Sequence, residues 1–73
     1  MRYTIVIEES PRNYAAYVPD LPGCVATGAS EAEVVREIRE AIRFHIESLR
    51  EHHEPVPKPR CTAPVVDVVA LAG

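Results

Sequence analysis

The side chains able to do chemistry in this sequence are few and dispersed. Asp20 is the one acid in the proline-rich run Val18-Pro19-Asp20-Leu21-Pro22-Gly23-Cys24-Val25. Carboxylate chemistry on nucleic acids needs two or more acids converging on metal ions. Glu8 and Asp67 are candidate companions, yet no spacing brings them to Asp20. The competing reading is a turn residue whose carboxylate accepts a nearby backbone amide, or an exposed partner contact. Cys24 could act as a nucleophile with His45 as its base. His45, however, falls on an apolar helical stripe, and Cys24 follows a glycine at a strand start, where a small buried side chain packs well. His52 and His53, flanked by Glu51 and Glu54, could hold zinc or nickel only weakly, because adjacent helical side chains diverge. Cationic histidines also suit a helix C-terminus. The two cysteines, Cys24 and Cys61, form no C-x-x-C or Cys/His metal spacing. The residues therefore predict no catalytic, cofactor-binding or metal site.

The elements that must position these groups read clearly. Residues 2–9 alternate as a strand, with Tyr3, Ile5 and Ile7 on one face and Arg2, Thr4, Val6 and Glu8 on the other. Ser10-Pro11-Arg12-Asn13 is a turn, and residues 13–18 form a second strand that places Tyr14, Ala16 and Val18 on one face and Ala15 and Tyr17 on the other. Two prolines and a glycine make residues 19–23 a rigid turn. Residues 24–27 are a third short strand ended by Gly28.

Ser30-Glu31-Ala32-Glu33 is a capping box. It predicts a helix over residues 31–51, with Val34, Ile38, Ala41, Ile42, His45 and Leu49 as its buried stripe and Val35 and Ile46 widening it. Arg36, Glu37, Arg39, Glu40, Arg43, Glu47 and Arg50 form the solvent side, with opposite-sign neighbours such as Arg36/Glu40 and Glu47/Arg50. Pro55, Pro57 and Pro59 stop the helix and favour an extended linker over residues 53–63. Residues 64–71, rich in valine, read as a final strand buried on both faces, in a sheet or at a subunit contact. The order is β-β-β-α-β, one α+β domain over residues 1–73, with a small antiparallel sheet and one helix packed on a face.

Bulk properties narrow the function further. A chain of 73 residues has a thin core, so self-association as a dimer or tetramer, or a partner, would help stabilise it. The net charge of −3 argues against a nucleic-acid binder, which presents a basic face to phosphates. It suits a basic protein partner. No signal-peptide pattern or membrane-length apolar run is present, which leads us to expect a cytoplasmic protein with free thiols. Of Tyr14 and Tyr17, one should face the core and the other solvent or a partner, where tyrosine is a favoured anchor.

The arrangement Tyr14-x-Ala16-x-Val18-Pro19-Asp20-Leu21-Pro22-Gly23-Cys24, followed by Gly28, Ser30 and Glu33, resembles the HicB family, the antitoxin halves of HicA–HicB toxin–antitoxin pairs. The likeness spans residue 2 to about residue 50. It implies the partial ribonuclease H-like fold of the HicB N-terminal domain, without nuclease chemistry. It also implies a role: binding and blocking HicA, a small basic RNA-cleaving toxin with a double-stranded-RNA-binding-like fold that acts through a histidine the antitoxin covers. Carried onto this sequence, the partner contacts expected are Tyr17, Asp20, Leu21 and Cys24. Many HicB antitoxins carry a C-terminal helix-turn-helix or ribbon-helix-helix segment. Only fourteen residues follow Pro59 here, so this chain resembles the short, solitary members and is not expected to bind operator DNA alone. Two alternatives stay open: an orphan HicB-like domain with another partner, and a small metal-dependent nuclease or hydrolase.

Overall fold

A computed structural model describes residues 1–69. Three strands, β1 (Val6–Glu9), β2 (Tyr14–Tyr17) and β3 (Val25–Gly28), form an antiparallel sheet in the order β1-β2-β3, and helix α1 (Glu31–Glu51) follows. The alternation read from the sequence sets the register. Ile7, Ala16 and Ala26 lie side by side on the face that meets α1, while Val6, Tyr17 and Val25 lie side by side on the opposite face. The helix lies over β3 and β2. The core joins Ala16, Val18, Leu21, Cys24, Val34 and Ile38, with Tyr3, Ile5, Ile7, Tyr14, Ala26, Ala41 and Ile42 packed around it.

Both helix ends are closed by local hydrogen bonds. Ser30 is the N-cap, its hydroxyl accepting from the Glu33 amide at 3.1 Å, and Glu31 and Glu33 sit at the positive end of the dipole. At the other end His53 takes a left-handed backbone with φ of 56°. Its amide bonds to the Arg50 carbonyl and the Glu54 amide to the Leu49 carbonyl, a Schellman closure. A histidine thus fills the position where glycine is usual, and Pro55 follows. The polar side of the helix is exposed, and among the described residues its one ion pair is Arg43–Glu40 at 3.7 Å, too exposed to contribute much.

The structure departs from the sequence reading at both ends of the chain. The first strand is shorter than residues 2–9, because its partner β2 ends at Tyr17 and Pro19 has no amide to extend the ladder. Residues 3 and 4 instead meet the segment after the helix. The Tyr3 hydroxyl donates to the Pro57 carbonyl at 2.6 Å, and the Thr4 hydroxyl to the Cys61 carbonyl at 2.6 Å. The expected final strand is not formed over residues 64–69: they have no ladder partner, and Val65, Val66, Val68 and Val69 are 72–95% exposed. A β-branched run alone cannot make a strand; it needs a neighbouring edge, and these residues do not reach one within their own chain. Residues 70 and 71 of that expected strand lie outside the described residues.

Candidate functional site

The proline-rich run folds as two consecutive tight turns. The Leu21 amide donates to the Val18 carbonyl at 3.0 Å, closing a turn around Pro19 and Asp20. The Cys24 amide donates to the Leu21 carbonyl at 3.0 Å, closing a second around Pro22 and Gly23. Gly23, at φ of 84°, supplies the positive dihedral that a proline–glycine type II turn requires. A bond from the Val18 amide to the Cys24 carbonyl, at 3.2 Å, locks the pair together.

This double turn has a period of three. Its corners Val18, Leu21 and Cys24 point into the core, while Pro19, Pro22 and Gly23 stay outside. Of the four expected contact residues, Leu21 is therefore fully buried and Cys24 nearly so, and they shape the turn from beneath. Burial raises the Cys24 thiol above its ordinary value, the reverse of an activated nucleophile.

Asp20 is half-buried, and its carboxylate is engaged. Oδ2 accepts from the Arg60 amide at 3.0 Å and the Cys61 amide at 3.1 Å, and Oδ1 accepts from the Cys61 thiol at 3.3 Å. The Cys61 and Arg60 amides hold the carboxyl below the usual aspartate range, because both favour its charged form. The same carboxylate raises the Cys61 thiol. Asp20 thus acts as a clamp on a segment some forty residues away, a role no local pattern could have revealed.

Tyr17 is the one expected contact that is openly displayed, 41% exposed on the face away from the helix. Its register neighbour Val25, 66% exposed, was not anticipated, although a valine opposite an outward tyrosine could have been read from the hairpin alternation. With Val6 they form an apolar row across an uncovered sheet face, and Glu8, Ala15 and Thr27 form the next row. Such an arrangement can bury an apolar partner surface. Among the described residues, no three His, Cys, Asp or Glu side chains converge to hold a metal. The His52 ring nitrogen Nδ1 sits 2.7 Å from the Ser48 carbonyl, at the helix end. No described helix is long and apolar enough to cross a membrane.

A three-stranded antiparallel sheet with one helix packed on a face and a rigid double turn defines a small α+β domain. The chain belongs to the HicB-like antitoxin family of bacterial toxin–antitoxin systems, which it matches over residues 3–70. It is 42% identical over 59 residues to the UPF0150 protein Ta0767 of Thermoplasma acidophilum, covering 80% of this chain and 86% of that one. It is 44% identical over 57 residues to the UPF0150 protein ssr1765 of Synechocystis, covering 77% of this chain and 72% of that one. A protein from the rep-hol intergenic region of Haemophilus phage HP1 is 43% identical over 58 residues, a stretch that is 80% of this chain but 44% of the phage protein. Among solved structures, a chain of the HicA3 and HicB3 toxin–antitoxin complex superposes with a TM-score of 0.71 at 32% identity, covering 81% of this chain and 70% of that one.

Proposed function

We propose that this chain is a non-catalytic antitoxin that neutralises a small, basic, HicA-type RNA-cleaving toxin in the cytoplasm by binding it directly. The observation that carries the reading is the likeness to a chain of a toxin–antitoxin complex at 32% identity and a TM-score of 0.71. The net charge of −3 agrees with a basic partner. The proposed contact surface centres on Tyr17 and Val25, with Val6 beside them and Glu8 in the next row. Aromatic and apolar anchors of this kind dominate binding energy. Pro19, Pro22 and the tethered segment at residues 60–61 form its rigid border, while Leu21 and Cys24 set the shape from below. The proposed role does not include direct DNA binding by this chain alone.

The test is co-purification of the tagged chain from its native host, followed by mass identification of what it retains. A small basic HicA-like protein, lost when Tyr17 is changed to Asp, is the expected result. Retention of no other protein, or of one equally well by the Tyr17→Asp chain, would count against the reading and its surface.

A further inference from the structure

The helix side of the sheet carries a groove whose charge runs against that of the chain. It lies between the N-terminal segment and α1 and encloses about 320 Å³. It exists because α1 lies over β3 and β2 and leaves the β1 side of the sheet less covered. Ile5, Val35, Ile38 and Ile42 supply its apolar lining. Tyr3 also lines it, but the Tyr3 hydroxyl is already spent on the Pro57 carbonyl at 2.6 Å. Its charged residues are Arg2 and Arg39, and among the described residues no acid lines it. The sequence as a whole holds 11 Asp and Glu against 8 Lys and Arg.

Arg39 is set apart a second time by its place on the helix. Of the arginines of α1, Arg36 has Glu33 and Glu40 three and four residues away, Arg43 has Glu40 and Glu47, and Arg50 has Glu47. Arg39 has no acid at those spacings. Its neighbours there are Val35, Ile42 and two like charges, Arg36 and Arg43. Like charges one turn apart weaken a helix. Neither Arg39 nor Arg2 has an acidic partner within 4 Å among the described residues to offset this. The groove therefore holds an apolar surface and an uncompensated guanidinium side by side.

We propose that the groove binds a small amphipathic carboxylate of the medium-chain fatty acid type, its hydrocarbon body against Ile5, Val35 and Ile42 and its carboxylate at Arg39. Charge complementarity selects the head group: a guanidinium pairs a carboxylate through two parallel hydrogen bonds, and Arg2 adds to the positive field. The apolar lining selects the body. Size selects the length, since α1 rises by about 10 Å from Val35 to Ile42, the reach of a chain of about eight carbons. The volume falls at the lower end of small-molecule clefts, about 300–1,000 Å³. An anionic bilayer fits less well, because Glu37, Glu40 and Glu47 stand exposed on the outer side of the same helix. The site lies on the helix side of the sheet, away from Tyr17 and Val25, so it does not depend on toxin binding.

Titration of the full chain with octanoate, followed by the backbone amide signals in nuclear magnetic resonance, tests it. Octanoate should shift the signals of Ile5, Val35, Arg39 and Ile42 saturably. Acetate, which lacks the chain, and octanol, which lacks the charge, should each bind at least tenfold more weakly, by about the worth of a charge-assisted pair for octanol. Arg39→Glu should weaken octanoate by about tenfold or more and make octylammonium the better ligand. The same change should leave the melting temperature unchanged or higher, because Arg39 is exposed and a glutamate there meets Arg36 and Arg43. Octanol binding as tightly as octanoate, shifts scattered outside the groove, or unchanged affinity in Arg39→Glu would overturn the proposal. Retention of the chain on phosphatidylglycerol vesicles without any response to octanoate would give the groove to a bilayer. Groove signals that move with protein concentration and not with octanoate would give it to a second copy. Either result would also overturn the proposal.

Discussion

Gly28→Ala should destabilise this protein although the glycine has no left-handed backbone to lose. A Cβ at that position would stand 2.7 Å from the Val34 amide nitrogen, 3.0 Å from the Val34 Cα and 3.2 Å from the Glu33 carbonyl carbon. All three are backbone atoms, so no side chain can rotate away. Ordinary contact begins near ~3.5 Å, and the first turn of α1 would have to lift by roughly 0.7 Å. That turn is held by the bond from the Val34 amide to the Ser30 carbonyl at 2.9 Å. It also carries Val34, which is fully buried with Ile38 one turn further on. Overpacking of this kind costs about 1–3 kcal/mol. The opposing effect is the reduced freedom of the unfolded chain, which favours alanine by about 0.4–1 kcal/mol. The clash wins, with a net loss of about 1–2 kcal/mol. For a domain this small that lowers Tm by roughly 4–15 °C. Thermal and urea unfolding followed by circular dichroism at 222 nm would measure it, with Thr27→Ala on the exposed face as the control. A Gly28→Ala protein as stable as the wild type would refute the close approach of helix and sheet.

Gly23→Ala should also destabilise, by about 1–2 kcal/mol, but purely through its φ of 84°, since nothing lies within 4 Å of the added carbon; in urea melts Gly23→Asn should lose less than Gly23→Ala. Leu21→Ala should cost about 2–5 kcal/mol as a fully buried truncation, and a loss near zero by the same melts would show that Leu21 is a surface residue. His53→Gly should stabilise by about 0.5–1 kcal/mol, because its backbone is left-handed with φ of 56°; an unchanged or lower Tm would contradict the Schellman closure. The Asp20 clamp has a definite sign with pH. Its folded-state pKa is depressed, so its contribution is present above the ordinary aspartate range and is lost as pH falls below that range, through the lowered value. The protection of the Arg60 and Cys61 amides, measured against the intrinsic exchange rate at each pH, should persist at neutral pH and fall only in that acid window, whereas in Asp20→Asn it should be weak throughout.

The hairpin, the third strand and the capped helix were legible because each rests on a local periodicity: alternation in 3–7 and 14–18, the Ser30–Glu33 box, and the spacing of Val34, Ile38 and Ile42. The double turn was legible as a turn but not in its burial. Its period of three turns Leu21 and Cys24 inward, and neither the strand nor the helix pattern contains that period. Asp20 illustrates the reverse difficulty, since its amide donors, Arg60 and Cys61, are distant in sequence and become neighbours only once the chain has rounded the helix. The valine run at 65–69 was read from propensity alone, which says what a segment prefers and not whether an edge lies within reach. The alternation puts Tyr14 and Tyr17 on opposite faces, and Val25 joins Tyr17 on the exposed one once the register with β2 is known.

Toxin neutralisation by contact is tested most directly by titrating the purified chain against the RNA-cleaving activity of the small basic protein it retains. Direct neutralisation predicts that cleavage stops at a fixed ratio of antitoxin to toxin, that Tyr17→Asp shifts the titration to higher ratios, and that the chain alone leaves RNA intact. Cleavage that persists in excess chain, or cleavage by the chain itself, would contradict it.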